Sequence, residues 1–598
     1  MKNLFNKLML VSYSVIWISC QSHTVFNVSE FGAFPNDGLD DTEAVMAAIE
    51  KASSVKDATL VFETGQYDFI NPAAMQVYES MINAAHPGKE RWMGPPPLGF
   101  EGWPADKNTV LKLKGISNLA IDGQGSEFMF YGLCQAIYME DCRHVTIKNI
   151  HINYQHLPFM AGKIVNIGET WIDVAVENKK IAGGEPVIAF QMYEPDTHRP
   201  TSVETFAGVQ STENIGENVL RLHMTSDDRG HDMPAKVKSG YYLVMRHLLG
   251  GYEPVEIKEG KDILLEHIDL YTGAGMGILG VGTENLTLSY VNIIPKENNL
   301  MSTTADGTHF IGCRGMVRLD NCRLIGEGDD HFNLHGQSVF VDEIIDRKTI
   351  KASIGAKSGF GMWSDWWVNG WTSWPRTGET VEFCQQDDLN ILGRSVISSV
   401  QPDKETGYLL IFFEDHIPET IEPGFIFQVT EQVPVVRISD CYFGMNRSRG
   451  LLLTSRDIIV ENNTFEYTGG TPIFVCAEVD WKAIPAPADV RIRQNIIRDC
   501  NYAVGNERAA ITMLFKQNAQ IEGYMENVSV CDNRISGQYE AGILAQQIRH
   551  LEISGNMIEG LHPAIVLQRC EEVILRNNPN VLDADIQVDS LSVKVVKE

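Results

Sequence analysis

The sequence predicts an all-β protein: a right-handed parallel β-helix with two inserted small antiparallel β-domains and an N-terminal capping helix. Two observations predict the β-helix. A phrase of eight residues recurs ten times, with apolar residues at positions 1, 3 and 8 and usually a polar or small residue at position 5; the last copy keeps only the opening of the phrase. A second apolar strand follows several of the copies. Repeats of about 22 residues without a helical period are typical of solenoids whose coils stack strand on strand.

The phrase itself is a strand signal. Apolar residues two apart alternate as in a half-buried strand, whereas a helix would place them three and four apart. Several neighbouring copies are 22 or 23 residues apart, which we take as the length of one coil. The copies begin at Val145, Ile263, Leu286, Val317, Val436, Ile458, Val490, Val528, Leu551 and Val573.

A second set of strands and a column of asparagines support the same architecture. The second strands read GLLL, PIFV, GILA and AIVL, and they begin at Gly450, Pro472, Gly542 and Ala564. Position 6 of the phrase is Asn in the last five copies, at Asn463, Asn495, Asn533, Asn556 and Asn578. Stacked asparagines can hydrogen-bond along the axis at a repeated turn, so we assign them a structural role.

The opening of the β-helix predicts a cap. Residues 41–52 have the pattern of a short amphipathic helix, which would cover the apolar edge of the first coil. The segment from Phe31 to Thr42 (FGA-x-P-x-DG-x-DDT) resembles the opening of the pectin-lyase-like β-helix superfamily. This likeness implies the fold and says little about the reaction. We place the cap and the first coils at residues 25–152.

Two stretches, 153–255 and 337–432, interrupt the repeat. Both contain strand-like segments without the phrase, and each is long enough for a small antiparallel β-domain. The coils between them cover 256–336, and the C-terminal coils cover 433–590. Insertions in repeat proteins cluster on one face, which is commonly the binding face.

Residues 1–20 have the layout of an export signal. Lys2 and Lys7 precede an apolar run that is too short to span a bilayer. Cys20 follows Ser19, which resembles a bacterial lipoprotein processing site and implies lipidation of Cys20. We expect an exported lipoprotein of the bacterial cell membrane, most simply the outer one, or a periplasmic protein. Its only membrane contact would be the N-terminal lipid anchor.

Composition limits the partners. The 49 Lys and Arg residues against 78 Asp and Glu residues give a formal net charge of −29. This field repels polyphosphates, so we expect no nucleic-acid partner, and it argues against a polyanionic substrate. The cysteines form no CxxC pair and no zinc-finger spacing with His, so we expect no metal site and no cofactor. The oligomeric state stays open.

Three aspartates are the candidate catalytic residues. The segment TADGTHFIG, which contains Asp306, recurs 23 residues later as GDDHFNLHG, which contains Asp329 and Asp330. One-coil spacing predicts that Asp306 lies over Asp329. Because stacked coils are about 4.8 Å apart, three carboxyl groups would meet and share protons. Glycoside hydrolysis needs such an acid and base. A lone Asp-Gly could be only an Asx turn, but the double acid one coil later favours a site.

The D-G pair followed by G-D-D resembles glycoside hydrolase family 28, the polygalacturonases. That family also carries a G-H-G segment one coil later and an R-x-K, whereas here the chain leaves the helix after Gly336. The better whole-chain likeness, over residues 25–590, is to glycoside hydrolase family 110, bacterial exo-acting α-1,3-galactosidases. It implies inverting release of terminal α-1,3-linked galactose from blood group B-type or linear glycans. By this likeness Asp329 is the general acid, and Asp306 and Asp330 activate water.

Further polar residues near the aspartates are candidates for binding the substrate: His309, His331, Asn333, His335, Arg447 and Arg449. The histidines and the asparagine could hydrogen-bond galactose hydroxyls, although a histidine beside a strand is as often a satisfied turn residue. The two arginines precede a later strand at nearly the phase of Asp329. They could hold a hydroxyl or neutralise the carboxylates, or they could be part of a solvated turn.

The second insertion contains five of the ten tryptophans: Trp363, Trp366, Trp367, Trp371 and Trp374. Aromatic faces stack on the C–H face of galactose, so we expect one or two of them, chiefly among the first four, to contact sugar. The others would form the core of the insertion.

Three alternatives stay open. The first is a polygalacturonase-like hydrolase of another polysaccharide. The second is a polysaccharide lyase, which would need a Ca²⁺ or Arg/Lys cluster that the sequence does not display. The third is a non-catalytic carbohydrate-binding β-helix, which would not explain the three stacked aspartates.

Overall fold

The structure is a computed structural model. It describes residues 23–83, 107–176, 185–206, 208–224, 232–296, 299–353, 374–385, 389–403, 408–478, 484–503, 509–516 and 523–598.

The N-terminal part contains two α-helices. Helix α1 (Thr42–Ser53) buries Val45, Ala48, Ile49 and Ala52 against the first coil, and α2 spans Pro72–Ile82. The predicted capping helix is therefore confirmed to within one residue at each end. The strands of this part are β1 (Thr24–Asn27), β2 (Ala58–Val61), β3 (Gln66–Ile70), β4 (Leu111–Lys114), β5 (Ser117–Tyr131), β6 (Ile137–Glu140) and β7 (Arg143–Tyr154).

An antiparallel sheet follows. Its strands are β8 (Phe159–Ile167), β9 (Trp171–Val176), β10 (Ala189–Tyr193), β11 (Pro200–Phe206), β12 (Val209–Gly216), β13 (Val219–Met224) and β14 (Tyr242–Arg246). They lie in the order β11-β10-β14-β8-β9-β13-β12. This sheet packs its own apolar core.

The coils then resume and are interrupted once more. The coil strands are β15 (Val255–Lys258), β16 (Lys261–Leu270), β17 (Ile278–Val281), β18 (Glu284–Ile293), β19 (Thr308–Ile311), β20 (Arg314–Asp320), β21 (Arg323–Ile325) and β22 (Phe332–His335). The next six strands are β23 (Val339–Asp346), β24 (Thr349–Ser353), β25 (Thr380–Cys384), β26 (Ile391–Asp403), β27 (Tyr408–Phe413) and β28 (Ile426–Val429). They form a closed antiparallel barrel in the order β23-β24-β27-β26-β25-β28.

The C-terminal coils complete the β-helix. Their strands are β29 (Val435–Ser439), β30 (Tyr442–Gly444), β31 (Leu451–Thr454), β32 (Arg456–Glu461), β33 (Thr464–Glu466), β34 (Ile473–Glu478), β35 (Ala488–Arg493), β36 (Ile496–Arg498), β37 (Ala509–Lys516), β38 (Met525–Cys531), β39 (Arg534–Ser536), β40 (Ala541–Gln546), β41 (Ile548–Ser554), β42 (Met557–Glu559), β43 (Ile565–Gln568), β44 (Glu571–Arg576), β45 (Ile586–Val588) and β46 (Val593–Lys597). The predicted fold class is confirmed.

In the described part of the chain, two parallel sheets, of 21 and 12 strands, run along the β-helix. The smaller sheet contains β4, β6, β15, β17, β19, β22, β31, β34, β37, β40, β43 and β45, and it carries the candidate site. All ten copies of the phrase pair in register on the larger sheet, from Val145 to Val573. Their apolar positions form the inner column of one continuous core.

The polar or small residue at position 5 of the phrase forms a corner. In every copy it has a positive φ, which Asn, Asp and Gly adopt at the lowest steric cost. These residues are Asn149, His267, Tyr290, Asn321, Asp440, Asn462, Gln494, Asp532, Gly555 and Asn577. The corner turns the chain between two strand segments of the same coil.

The asparagines at position 6 form the predicted ladder. The side-chain amide of each of the first four donates to the side-chain oxygen Oδ1 of the next asparagine, over 3.0, 2.9, 2.9 and 3.1 Å from Asn463 to Asn578. Their role is therefore structural.

The cysteines pack as small apolar residues. The described part of the chain holds ten free cysteines, and nine of them are buried. Among the described residues no helix is long and apolar enough to cross a membrane.

Candidate active site

The aspartates lie at the start of two neighbouring strands of the smaller sheet. Strand β19 pairs with β22 in the register Thr308 to Phe332, and the Gly307 amide continues it by donating to the Asp330 carbonyl. This register aligns Asp306 with Asp330 and not, as predicted, with Asp329. Paired positions on these two strands are 24 residues apart, one more than the spacing of the two motifs, because hydrogen bonding between the strands sets the register.

The three carboxyl groups nevertheless meet. One oxygen of each of Asp306, Asp329 and Asp330 lies within 4.8 Å of the other two. Their exposure differs: the whole residues Asp306 and Asp330 are only 6% and 1% exposed, whereas the side chain of Asp329 is 40% exposed. Asp329 is therefore the carboxyl group that an external ligand reaches first.

Arg449 holds Asp330 from the next coil. Its backbone N–H and its Nε donate to Oδ1 at 2.9 and 3.0 Å, and its Nη2 lies 2.9 Å from Oδ2. Strand β22 pairs with β31 in the register Phe332 to Leu451, which continues the column from Asp330 to Arg449. Arg449 also donates to Glu478 at 3.0 Å.

Arg447 holds Asp329. Its Nη2 lies 2.7 Å from Asp329 Oδ1, and its Nε donates to the carbonyl oxygen of Gly328 at 2.6 Å. Its Nη1 donates to Glu204 of the inserted sheet at 3.1 Å. The inserted sheet thus fixes the cation that pairs with the exposed aspartate.

Asp306 contacts His309, which in turn contacts His335. Its Oδ2 lies 2.7 Å from His309 Nδ1, and its Oδ1 accepts the backbone N–H of Asp330 at 3.3 Å. His309 Nε2 lies 3.2 Å from His335 Nε2, and His335 Nδ1 lies 2.6 Å from the carbonyl oxygen of Gly336.

The carboxyl groups have different proton affinities. Burial raises the pKa of Asp306 well above its usual value, and the negative charge of Asp329 is the second cause of this rise. Burial also raises the pKa of Asp330, to about 6, although Arg449 opposes the rise. At Asp329 burial acts in the same direction, but Arg447 and Arg449 outweigh it and lower the pKa. Burial lowers the pKa of both His309 and His335 to about 4, so both rings are neutral at pH 7.

Sequence reasoning missed Arg246 at the end of β14 in the inserted sheet. This side chain is fully buried, and its Nη1 donates to the carbonyl oxygens of Thr304 at 2.9 Å and Gly328 at 3.3 Å. These carbonyls lie just before Asp306 and Asp329 in the chain. Arg246 therefore joins the two loops that carry the acids. The sequence offered one signal for this residue: Arg246 is the single charged residue at the end of the apolar segment YYLVMR.

Asn446 was also missed. Its amide donates to the carbonyl oxygens of Asp329, at 2.8 Å, and Arg449, at 2.6 Å, and thereby ties the coil of the acids to the coil of the arginines. Tyr502 donates to the Asn446 carbonyl and accepts from Gln191 of the inserted sheet at 3.2 Å.

The remaining predicted site residues divide into groups. Asn333 lies beside His309 across the sheet, and among the contacts of the described residues its Oδ1 has no hydrogen-bond donor. His331 is fully buried, lies 2.6 Å from Glu327 and packs near Phe443 in the core, so this structure gives it no contact with an external sugar. Trp374 packs against the barrel core. Cys20, Trp363, Trp366, Trp367 and Trp371 lie outside the described residues.

The three carboxylate oxygens are close enough to share a cation. Arg447 and Arg449 already supply positive charge to Asp329 and Asp330, however, so a hard cation would have to compete with both guanidinium groups for these oxygens. The donor set fits a proton-transfer site better than a metal site.

Comparisons with known proteins show what this chain is similar to. The family model "Right handed beta helix region" matches residues 426–580. "Alpha-1,3-galactosidase B" of Bacteroides thetaiotaomicron is 26% identical over 97% of this chain and 95% of its own length. "Alpha-1,3-galactosidase A" of Shewanella woodyi is 28% identical, over 89% and 85% of the two chains. A solved structure, the Agl-KA catalytic domain, aligns over 96% of this chain and 68% of its own with a TM-score of 0.44 and 12% identity. The predicted resemblance to α-1,3-galactosidases is confirmed by these curated relatives.

Proposed function

We propose that the protein is an exo-acting glycoside hydrolase that releases terminal α-1,3-linked galactose from glycans with inversion of configuration. The observation that carries the proposal is the cluster of three carboxyl groups within 4.8 Å, of which one is exposed and two are buried. The relatives named α-1,3-galactosidase, which match most of the chain, support a galactosidase.

Asp329 is the general acid in this proposal. It is the exposed member of the cluster, so it is the carboxyl group that can reach the glycosidic oxygen. In the free site Arg447 and Arg449 lower its pKa. A neutral sugar that covers the carboxyl group excludes water and raises the pKa toward that of a proton donor.

Asp306 and Asp330 hold the attacking water in this proposal. Both are buried, so neither can attack an anomeric carbon directly, but both can hold a water that does. A retaining mechanism needs a carboxylate nucleophile in contact with the sugar as well as an acid. The site offers one exposed carboxyl group, which favours inversion. The closest oxygens of the cluster are nearer together than the usual separation of inverting pairs, and it is the burial of Asp306 and Asp330 that favours inversion.

The charges favour a neutral sugar over a uronic acid. Both guanidinium groups at the site already face carboxylates, Arg447 with Glu204 and Arg449 with Glu478, and a substrate carboxylate would add to the acidic side. The net charge of −29 acts in the same direction. The Asn333 amide oxygen lies on the same face of the sheet as His309 and is the acceptor for a galactose hydroxyl in this proposal, because both ring nitrogens of His309 already contact Asp306 and His335.

A panel of oligosaccharides tests the function. It contains linear Galα1-3Gal, the same linkage beside a fucose branch, α-1,4-, α-1,6- and β-linked galactosides, and polygalacturonate. We expect release of galactose from the α-1,3-linked members, with or without the branch, and proton NMR should show β-galactose first. First release of α-galactose would contradict inversion. Binding without release, or release of galacturonate alone, would contradict the galactosidase.

We also propose that the protein is exported and anchored by a lipid on Cys20, as the signal-like N-terminal sequence predicts.

A further inference from the structure

A directional chain of hydrogen bonds begins at a backbone carbonyl. The carbonyl oxygen of Gly336 can only accept, so His335 Nδ1, 2.6 Å away, carries a hydrogen. A neutral His335 then presents a bare Nε2. His309 Nε2 lies 3.2 Å from it and must carry a hydrogen, because two bare nitrogens would place their lone pairs against each other.

The same reasoning reaches Asp306. A neutral His309 with a hydrogen on Nε2 presents a bare Nδ1 to Asp306 Oδ2 at 2.7 Å. The short contact is then satisfied only if Asp306 donates, and a carboxyl group donates only when it is protonated. The other oxygen of Asp306 accepts the Asp330 backbone N–H, which suits a neutral acid equally well.

The surroundings decide between a proton on Asp306 and a charged histidine. Asp306 faces Asp329, Asp330, Arg447 and Arg449. His309 faces Asp330, Asp329, Arg449 and Glu253, and His335 faces His309 and Glu478. The two whole histidines are only 8% and 7% exposed. Burial disfavours a charged histidine ring, and the neighbouring negative charges disfavour a third carboxylate. Asp306 and both histidine rings are therefore more stable in their neutral forms.

We propose that Asp306 enters the reaction carrying a proton that the His309–His335 pair keeps in place, so that Asp330 alone deprotonates the attacking water. The assignment rests on the proposed hydrolysis. It gives to Asp330 alone the base role that Asp306 and Asp330 would otherwise share. His309 and His335 are positioning residues in it.

Asp330 has the capacity for this role. A carboxylate offers about four acceptor positions, and three donors of Arg449 occupy three of them at Asp330. The fourth is left for water. In the step, the water oxygen forms the new bond to the anomeric carbon and its proton goes to Asp330. The glycosidic C–O bond breaks, and the leaving oxygen takes the proton of Asp329. Asp306 keeps its proton throughout and hydrogen-bonds within the cluster.

Two matched amide variants test the division. Asp306→Asn keeps a donor for His309 Nδ1 and an acceptor for the Asp330 N–H, so it mimics the protonated acid. We expect it to keep at least about a tenth of the wild-type kcat on Galα1-3Gal, whereas Asp330→Asn loses about 10²–10⁴-fold. Equal losses in the two variants would overturn the assignment.

Infrared difference spectroscopy tests the proton without activity. At pH 7 the spectrum of wild type minus Asp306→Asn should show the carbonyl stretch of a protonated carboxylic acid. Other buried acids such as Glu327 are present in both proteins and cancel. Absence of the band would overturn the assignment even if Asp306→Asn proves too unstable for kinetics.

His335→Phe tests the histidine pair. Without the bare Nε2 of His335, His309 can move its hydrogen to Nδ1 and donate to an Asp306 carboxylate, so the band should weaken or vanish. His151→Gln, a change in another His–Asp contact of 2.8 Å that lies on the larger sheet, should leave it unchanged. An unchanged band in His335→Phe would show that the pair does not hold the proton. Failure of the wild type to release galactose would contradict the proposed function and leave the infrared result untouched.

Discussion

Arg447 and Asp329 form an ion pair of 2.7 Å at the edge of the cluster, and the arginine side chain is 13% exposed while the aspartate is 40% exposed. Arg447 also donates to the carbonyl oxygen of Gly328, the residue just before Asp329. One side chain therefore fixes both the position and the charge of the proposed general acid.

The first prediction concerns that acid. Asp329→Asn keeps size and much of the hydrogen bonding, so the fold should survive, but no proton can be delivered to the leaving group. We expect a loss of about 10²–10⁴-fold in kcat on Galα1-3Gal. An aryl galactoside with an acidic phenol needs little acid assistance and should be cleaved at close to the wild-type rate. Asp330→Asn is the control, because it should lose both substrates alike. If Asp329→Asn loses both substrates equally, Asp329 is not the acid.

The second prediction concerns pH. A base must be ionised, and the pKa of Asp330 is about 6 in the free site. In the complex, where the sugar raises the pKa of Asp329, kcat should therefore fall on the acid side of its pH profile as Asp330 takes up a proton. Arg449→Met removes the cation that favours the carboxylate, so the pKa of Asp330 rises and the acid limb of the profile should move to higher pH. Arg449→Lys keeps a positive charge and should move it less. If the acid limb does not move in Arg449→Met, the ionisation of Asp330 does not set that limb.

The third prediction concerns Arg246. Arg246→Met leaves the carbonyl oxygen of Thr304 without its buried donor, a cost of about 1–3 kcal/mol in the free energy of unfolding, and removes one of the two donors to the Gly328 carbonyl, which keeps Arg447. Because both loops lead into the proposed catalytic aspartates, kcat should fall more than KM changes. Arg221→Met is the matched control, since Arg221 belongs to the same inserted sheet but pairs with Asp173. Urea unfolding and kinetics measure both effects. An equal fall of kcat in Arg221→Met would assign the effect to the stability of the sheet.

The fourth prediction concerns the asparagine ladder. Asn495 is fully buried and bonds to asparagines on both sides, so Asn495→Ala should lower the free energy of unfolding by about 1–3 kcal/mol or more. Asn578 lies at the end of the ladder and is only half-buried, so Asn578→Ala should cost less. Neither change should alter kcat at a temperature where the protein is folded. A selective loss of kcat in Asn495→Ala would contradict the purely structural role.

The fifth prediction concerns the anchor. Cys20→Ser removes the proposed lipid attachment site, so the protein should leave the membrane fraction while its galactosidase activity remains. Fractionation and an activity assay on each fraction test this. A Cys20→Ser protein that still sediments with membranes would contradict lipidation at Cys20.

The fold was predictable because it repeats. Each copy of the phrase has the same environment, so ten weak signals report the same strand, and Val145 through Val573 pair in register as one column. The pattern at position 5 repeats for a similar reason. The residue at each corner has a left-handed conformation, which restricts the residue types that can occupy it. The site was less regular. Its coil contains one more residue than the motif spacing implied, and the partner of Asp306 was therefore Asp330.

The sequence by itself determined the strand pattern, the cap, the asparagine ladder and the identity of the three aspartates, since each depends on local residue types at repeated intervals. Only the tertiary structure decided which aspartate is exposed and which cation faces it. It also decided that Arg246 and Glu204, from an insertion far away along the chain, hold the site together. The reason is physical: burial and charge set the proton affinity of a carboxyl group, and both depend on neighbours from other coils. The direction of hydrogen bonding along Asp306, His309 and His335 likewise exists only once the fold places the three side chains and the Gly336 carbonyl in one line of contacts.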